Sequence, residues 1–150
     1  MSGEMERKLY EIERLLERLN QIERGNDPVW LQTPLTSTAW DGDAYSTTGK
    51  TKIDLSAVFG APAGIKAVYI RVWARDSASA SNDAIWFLLS PDNIASSAPL
   101  RVRPSGLPND FWADSSAIVP CDANGDIYYQ VSASGTGTMD VNIQIWGYEI

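Results

Sequence analysis

Apolar residues occur near the start of the chain at Met5, Leu9, Ile12, Leu15, Leu16, Leu19 and Ile22, separated by 4, 3, 3, 1, 3 and 3 positions. Steps of three and four place them on one broad face of an α-helix, and Glu, Arg, Lys, Asn and Gln cover the rest. Both ends carry signals. Ser2 can act as N-cap, Glu4 and Glu6 suit the positive end of the helix dipole, and Arg24 with Gly25 supplies a stop before Pro28. The pattern predicts a helix over residues 3–24, about 30 Å long at 1.5 Å per residue.

Beyond Gly25 the period changes from three-and-four to two, which predicts strands over residues 51–59, 65–75, 84–90, 99–104, 116–121, 126–134 and 139–150. Turn clusters such as "GAPAG", "DSASASND", "SPDN", "DANGD" and "SGTGT" separate them. Many short strands with no intervening helix indicate an antiparallel β-sandwich of jelly-roll type. The expected organisation is a helix over residues 1–25, a linker over 26–38 and a β-sandwich head over 39–150.

Alternation assigns the faces. Val68, Ile70 and Val72 point inward, against Tyr69, Arg71, Trp73 and Arg75. In the last strand Met139, Val141, Ile143 and Ile145 are inward, and Asp140, Asn142, Gln144, Trp146 and Tyr148 outward. The stretch Ile85, Trp86, Phe87, Leu88, Leu89 is apolar on both sides, so something must cover its outer face. A neighbouring subunit would make it an interface within the β-domain; a long loop of the same chain would serve equally.

Composition confirms that two kinds of structure are specified. Six of the seven Glu residues and five of the twelve basic residues precede Gly25, whereas Ser, Thr, Ala, Gly and aromatic residues dominate afterwards. The net charge of −7 argues against nucleic acid, which needs a surplus of Lys and Arg on one face. No stretch is apolar enough for membrane insertion. The charged N-terminus lacks the apolar core of a signal peptide, and the lone Cys121 forms no intramolecular disulfide, so folding in a cytoplasm is expected.

The helical face admits two heptad registers. One places Met5, Ile12 and Leu19 at a, with Leu15 and Ile22 at d and Lys8 also at d; the other places Leu9 and Leu16 at a, with Met5, Ile12 and Leu19 at d. A seam this wide suits three strands, or a helix packed on its own head. In the first register Arg18, Leu19, Ile22 and Glu23 form the Arg-apolar-x-x-apolar-Glu pattern of short trimeric coiled coils. There the Arg stem lies along the seam while its guanidinium reaches a Glu of the next helix.

No catalytic constellation is legible. The chain has no His, which removes Ser-His-Asp and Cys-His arrangements and imidazole metal sites. "DANGD" and "DGD" lack the oxygen-ligand spacing of a calcium loop, so no metal or cofactor is expected. Aromatic residues are the remaining chemistry. Tyr69, Trp73, Trp146 and Tyr148 fall on the outward side of strands, beside Arg, Asn and Gln, and such surfaces suit sugar rings. They would equally suit packing between subunits.

A charged N-terminal helix with a trimer-type seam, joined by a short linker to a His-free β-sandwich, resembles the fibres, spikes and receptor-binding or decoration proteins of bacteriophage virions. The β-portion is similar to a module of phage structural proteins through "WLQTPLTSTAWDGDAYSTTGKTKIDLSAVFGAPAGIKAV", "LLSPDN", "VPCDANGDIYYQVSASGTGTMDV" and "IQIWGYEI", over residues 29–150. The resemblance implies a homotrimeric, non-enzymatic virion protein made in the host cytoplasm. Its helix would trimerise and contact other virion proteins, and its head would face outward; the resemblance carries over no binding site, and a host-surface glycan as partner rests on the outward aromatic residues. The alternative is a stand-alone lectin-like module with a helical oligomerisation tag, which purified particles would lack.

Overall fold

The computed structural model describes residues 3–26 and 28–150, and for residues 20–26 the backbone alone. Helix α1 spans Gly3–Asn26, with Glu4 and Glu6 in its first turn. Every residue from Gly3 to Leu19 is exposed, so among the described residues the apolar stripe rests on nothing in its own chain. The expected N-cap at Ser2 and the side chains of Ile22 and Glu23 lie outside the described residues.

Among the described residues nine strands follow: β1 (Pro28–Leu35), β2 (Asp41–Tyr45), β3 (Thr51–Ile53), β4 (Ala67–Asp76), β5 (Trp86–Ser90), β6 (Leu100–Val102), β7 (Ala113–Pro120), β8 (Ile127–Ser132) and β9 (Met139–Glu149). All pairings are antiparallel. One sheet runs β1-β9-β4-β7, with β2 beside the other half of β9; the second runs β3-β8-β5-β6. Residues of both inner faces, among them Val68, Ile70, Val72, Phe87, Leu89, Val131, Ile143 and Ile145, make one core. The chain is therefore mainly β, two antiparallel sheets packed face to face behind an N-terminal helix.

Three expectations are corrected. The segment taken as a linker contains β1, whose Val29 and Trp30 pair with Tyr148 and Gly147. An edge strand tolerates prolines: Pro28 opens β1, and Pro34 falls where the register is irregular. Residues 55–59, expected as strand, form a short helix α2 (Leu55–Phe59), because the Asp54 carboxylate accepts from Ala57 N (3.1 Å) and Gly60 closes the turn at φ 73°.

The third correction concerns the stretch considered as an interface. Ile85, Phe87 and Leu89 belong to the core, and Leu88, on the opposite side, is fully buried within one chain; Trp86 alone is half-buried. Residues 91–99 are tied across that outer face. Ser96 N donates to Oε1 of Gln130, the residue opposite Leu88 (3.2 Å), and the buried Lys50 ammonium donates to Ser97 O (2.8 Å) and to Ser90 Oγ. Burial pulls the Lys50 pKa below the usual lysine value, against the pull of Asp92. The cover is thus a loop of the same chain.

The two ends of the sandwich differ. Loops 46–50, 77–85, 103–112 and 133–138 meet at an apical end, linked by Gly137 N to Ser46 Oγ (2.8 Å), Gly106 N to Ser79 O (2.9 Å) and Asp110 N to Asp76 O (3.0 Å). The basal end receives the chain from α1, with Pro28 opposite Glu149.

Candidate binding face

The outer face of the β1-β9-β4-β7 sheet gathers the aromatic residues. Along β4, Val68, Ile70, Val72 and Ala74 are buried and Tyr69, Arg71, Trp73 and Arg75 alternate outward. Register then decides their neighbours: Trp73 lies opposite Asn142 of β9 and Asp114 of β7, and Arg71 opposite Gln144 and Ser116.

Charge holds the rings in place. The Arg71 guanidinium lies 4.3 Å from the Trp73 ring centre and donates to Asp114 Oδ2 at 3.0 Å. Arg75 lies 4.5 Å from the Trp112 ring centre and donates to Asp140 Oδ2 at 2.9 Å. Each such contact is worth about 0.5–1 kcal/mol at a surface, which is enough to favour one rotamer. Each guanidinium faces a carboxylate, so the two arginines bring no surplus positive charge to the apical half of this face, and Asp41 stands opposite Asn142 at its edge.

Trp73, Trp112, Asn142 and Gln144 line a shallow depression of about 420 Å³ in that half. Two indoles provide flat apolar surface and two primary amides provide planar donors and acceptors, the combination that aligns a sugar ring. Toward the base the character changes. Tyr69, Ala117, Ile118 and Trp146 line a second hollow of about 320 Å³, and Trp30 packs on Tyr69 with ring centres 4.5 Å apart.

Of the four residues expected to bind glycan, Tyr69, Trp73 and Trp146 are on this face and Tyr148 is not. Tyr69 pairs with Gly147 but Ile70 with Ile145, so Trp146 is the extra residue of a β-bulge. The bulge reverses the alternation beyond it. Tyr148 pairs with buried Val68 and packs against the core, and Glu149 turns outward to accept from the Tyr69 hydroxyl at 2.6 Å. That hydrogen bond to the neutral phenol raises the Tyr69 pKa. Trp112 was missed because it lies in the β6–β7 loop, where strand alternation gives no signal. Asn142 and Gln144 were legible as outward residues, but pairing alone sets them beside the indoles.

Among the described residues no group of three or more His, Cys, Asp or Glu is placed to hold a metal ion, and no helix is long and apolar enough to cross a membrane. No family model and no curated protein matches the chain. Solved structures similar to it include the C-terminal domain of EclA, a sugar-binding protein (13% identity, 80% of this chain and 77% of that one, TM-score 0.35). An isomalto-dextranase of Arthrobacter globiformis T6 complexed with panose is similar at 16% identity, over 81% of this chain and 23% of that one, with a TM-score of 0.37. Eiger TNF from S. frugiperda is similar at 13% identity, over 74% and 92%, with a TM-score of 0.34. Likenesses this loose carry no argument about the ligand of this chain.

Proposed function

We propose that the chain is a self-associating, stalked binding protein, a homotrimer through α1, whose head takes a neutral glycan on the apical half of its outer sheet. The observation behind this is the depression that sets Trp73 and Trp112 beside Asn142 and Gln144. Ring CH groups of a sugar stack on the indoles, and its hydroxyls exchange hydrogen bonds with the amides and with unused donors of Arg71 and Arg75. Because both arginines already face carboxylates, the site offers no surplus cation to attract an acidic sugar.

Self-association is supported by the stripe of α1. Met5, Leu9, Ile12, Leu15, Leu16 and Leu19 are all more than half exposed in the single chain. A lone helix of this kind is marginal in water, and burying the stripe against other copies relieves that. Three heads on one stalk also convert weak single contacts into avid attachment. In a bacteriophage virion, the setting implied by the sequence resemblance, α1 would be the anchor and the head the outward part. The jelly-roll reading is supported by strand order: β1 and β2 share one edge position, which makes eight positions, and each sheet-to-sheet crossing alternates except at the β5–β6 hairpin.

The test combines light scattering with glycan-array screening and titration calorimetry. The protein is expected at about three times its 16.5 kDa chain mass, with neutral oligosaccharide bound, and Trp73→Ala or Trp112→Ala weakening binding about tenfold or more, the equivalent of ~1.4 kcal/mol of lost stacking. A trimer that binds no glycan, or binds it undiminished in both variants, refutes the site; a monomer refutes the stalk.

A further inference from the structure

We infer that the basal half of the same sheet face, around Trp30, Tyr69, Ile118 and Trp146, is a contact surface between the heads of neighbouring copies of this chain. This rests on the self-association proposed for α1 and is separate from the glycan site. Trp30 is 66% exposed, Ile118 54% and Trp146 38%, a cluster of large apolar side chains that water would otherwise cover. Three of the polar groups bordering it already have partners, while Ser116 and the remaining donors of Arg71 stay at its apical rim. Tyr69 Oη donates to Glu149 (2.6 Å), Trp146 Nε1 to Gln144 Oε1 (3.1 Å) and Arg71 to Asp114 (3.0 Å). The surface therefore presents carbon and asks for carbon, whereas the apical depression presents amides.

Chain connectivity supplies the partner. Trp30 is four residues beyond Asn26, the last residue of α1, and so lies at most about 14 Å from the stalk end at ~3.5 Å per extended residue. Helices packed side by side are about 8–10 Å apart. In a parallel bundle of α1 the Trp30 residues of adjacent heads are then held within roughly 40 Å of one another, and the second contact becomes an intramolecular one. The sequence had offered the stretch around Phe87 for this role, but its own chain buries it; among the described residues of the head the basal half is an apolar face left uncovered.

The test uses the full chain, wild type and the variants Ile118→Asp and Trp30→Ser. Ile94→Asp is the control, since Ile94 is 64% exposed in the loop over the opposite sheet. Sedimentation and light scattering across a dilution series read the dissociation midpoint, and calorimetry reads glycan affinity per head. The expected result is a midpoint raised at least tenfold by Ile118→Asp and by Trp30→Ser, not by Ile94→Asp, with affinity per head retained. Circular dichroism checks folding, and if Ile118→Asp fails to fold, Trp30→Ser carries the test. Unchanged midpoints overturn the inference while the stalk stands. Intact assembly with lost glycan binding assigns the basal half to the ligand site instead, and a wild type monomeric at every concentration removes the self-association itself.

Discussion

Replacing Asp76 by Asn changes one atom of a carboxylate that the head buries completely. Its Oδ1 accepts from Ala78 N (2.9 Å) and from the Ser134 hydroxyl, and its Oδ2 from Ser134 N (3.0 Å) and Thr138 Oγ1 (3.0 Å). Its own carbonyl accepts from Asp110 N (3.0 Å), which anchors the loop carrying Trp112. An amide keeps one acceptor oxygen and turns an NH2 toward the other pair of donors, so two charge-assisted hydrogen bonds are lost. At about 1.5–3 kcal/mol each, less what the Thr138 hydroxyl recovers by rotating, the cost is roughly 3–5 kcal/mol. For a chain of this length that is a fall in melting temperature of the order of 10 °C. Burial alone would raise the pKa of Asp76, but the hydrogen bonds from Ser134, Ala78 and Thr138 outweigh it and hold it below the usual carboxylate value. A depressed native pKa stabilises the fold fully above the unfolded value of about 4, and that contribution is lost as pH falls through the native one. Thermal melts followed by tryptophan fluorescence should therefore show a wide gap between wild type and Asp76→Asn at pH 7 that narrows below pH ~4. A gap of under about 1 kcal/mol at pH 7, or one that does not change with pH, would refute the account.

Gly147→Ala should destabilise the head by about 1–3 kcal/mol, because the added Cβ would stand 2.8 Å from Val29 O and 2.9 Å from Tyr69 Cδ2 and force β1 away from β9. Chemical denaturation measures the loss, and faster amide exchange at Val29 and Trp30 locates it; wild-type stability would show that the edge absorbs the methyl without cost. Burial first, and then the neighbouring Asp122 and Asp126, push the Cys121 thiol up to about 12. Native protein at pH 8 should react with Ellman's reagent far more slowly than protein in denaturant, and equal rates would contradict the burial argument.

The long elements were legible because one periodicity dominates each of them. Helix α1 steps by three and four apart from the adjacent Leu15 and Leu16, and β4 and most of β9 alternate with buried residues on one side. Short elements were not. "LSAVF" is an apolar run that fits a strand or a helix turn, and the deciding facts are a carboxylate at Asp54 and the left-handed Gly60. "DGDAY" has the composition of a turn, yet it becomes β2 because β9 offers an unpaired edge, with Gly42 at φ 109° absorbing the register shift between Asp41 and Asp43. Pro28 and Pro34, inside the segment expected as a linker over 26–38, are tolerated because β1 is an edge, a property of the sheet and not of the segment.

The binding face depends on a feature with no local signature. Continued alternation would have carried Tyr148 outward beside Trp146 and turned Glu149 inward, placing a carboxylate against the core, a costly burial for an unpaired charge. The bulge at Trp146 avoids this: it returns Tyr148 to the core, gives the Tyr69 hydroxyl its partner in Glu149 and leaves Gly147 beneath the Trp30 and Tyr69 rings. Those rings close the basal end of the face with carbon, so the amides of Asn142 and Gln144 and the Trp73 and Trp112 indoles are left together at the apical end. One inserted residue thereby separates the surface proposed for another copy of the chain from the surface proposed for a sugar. Neither surface could be assigned from the aromatic residues alone.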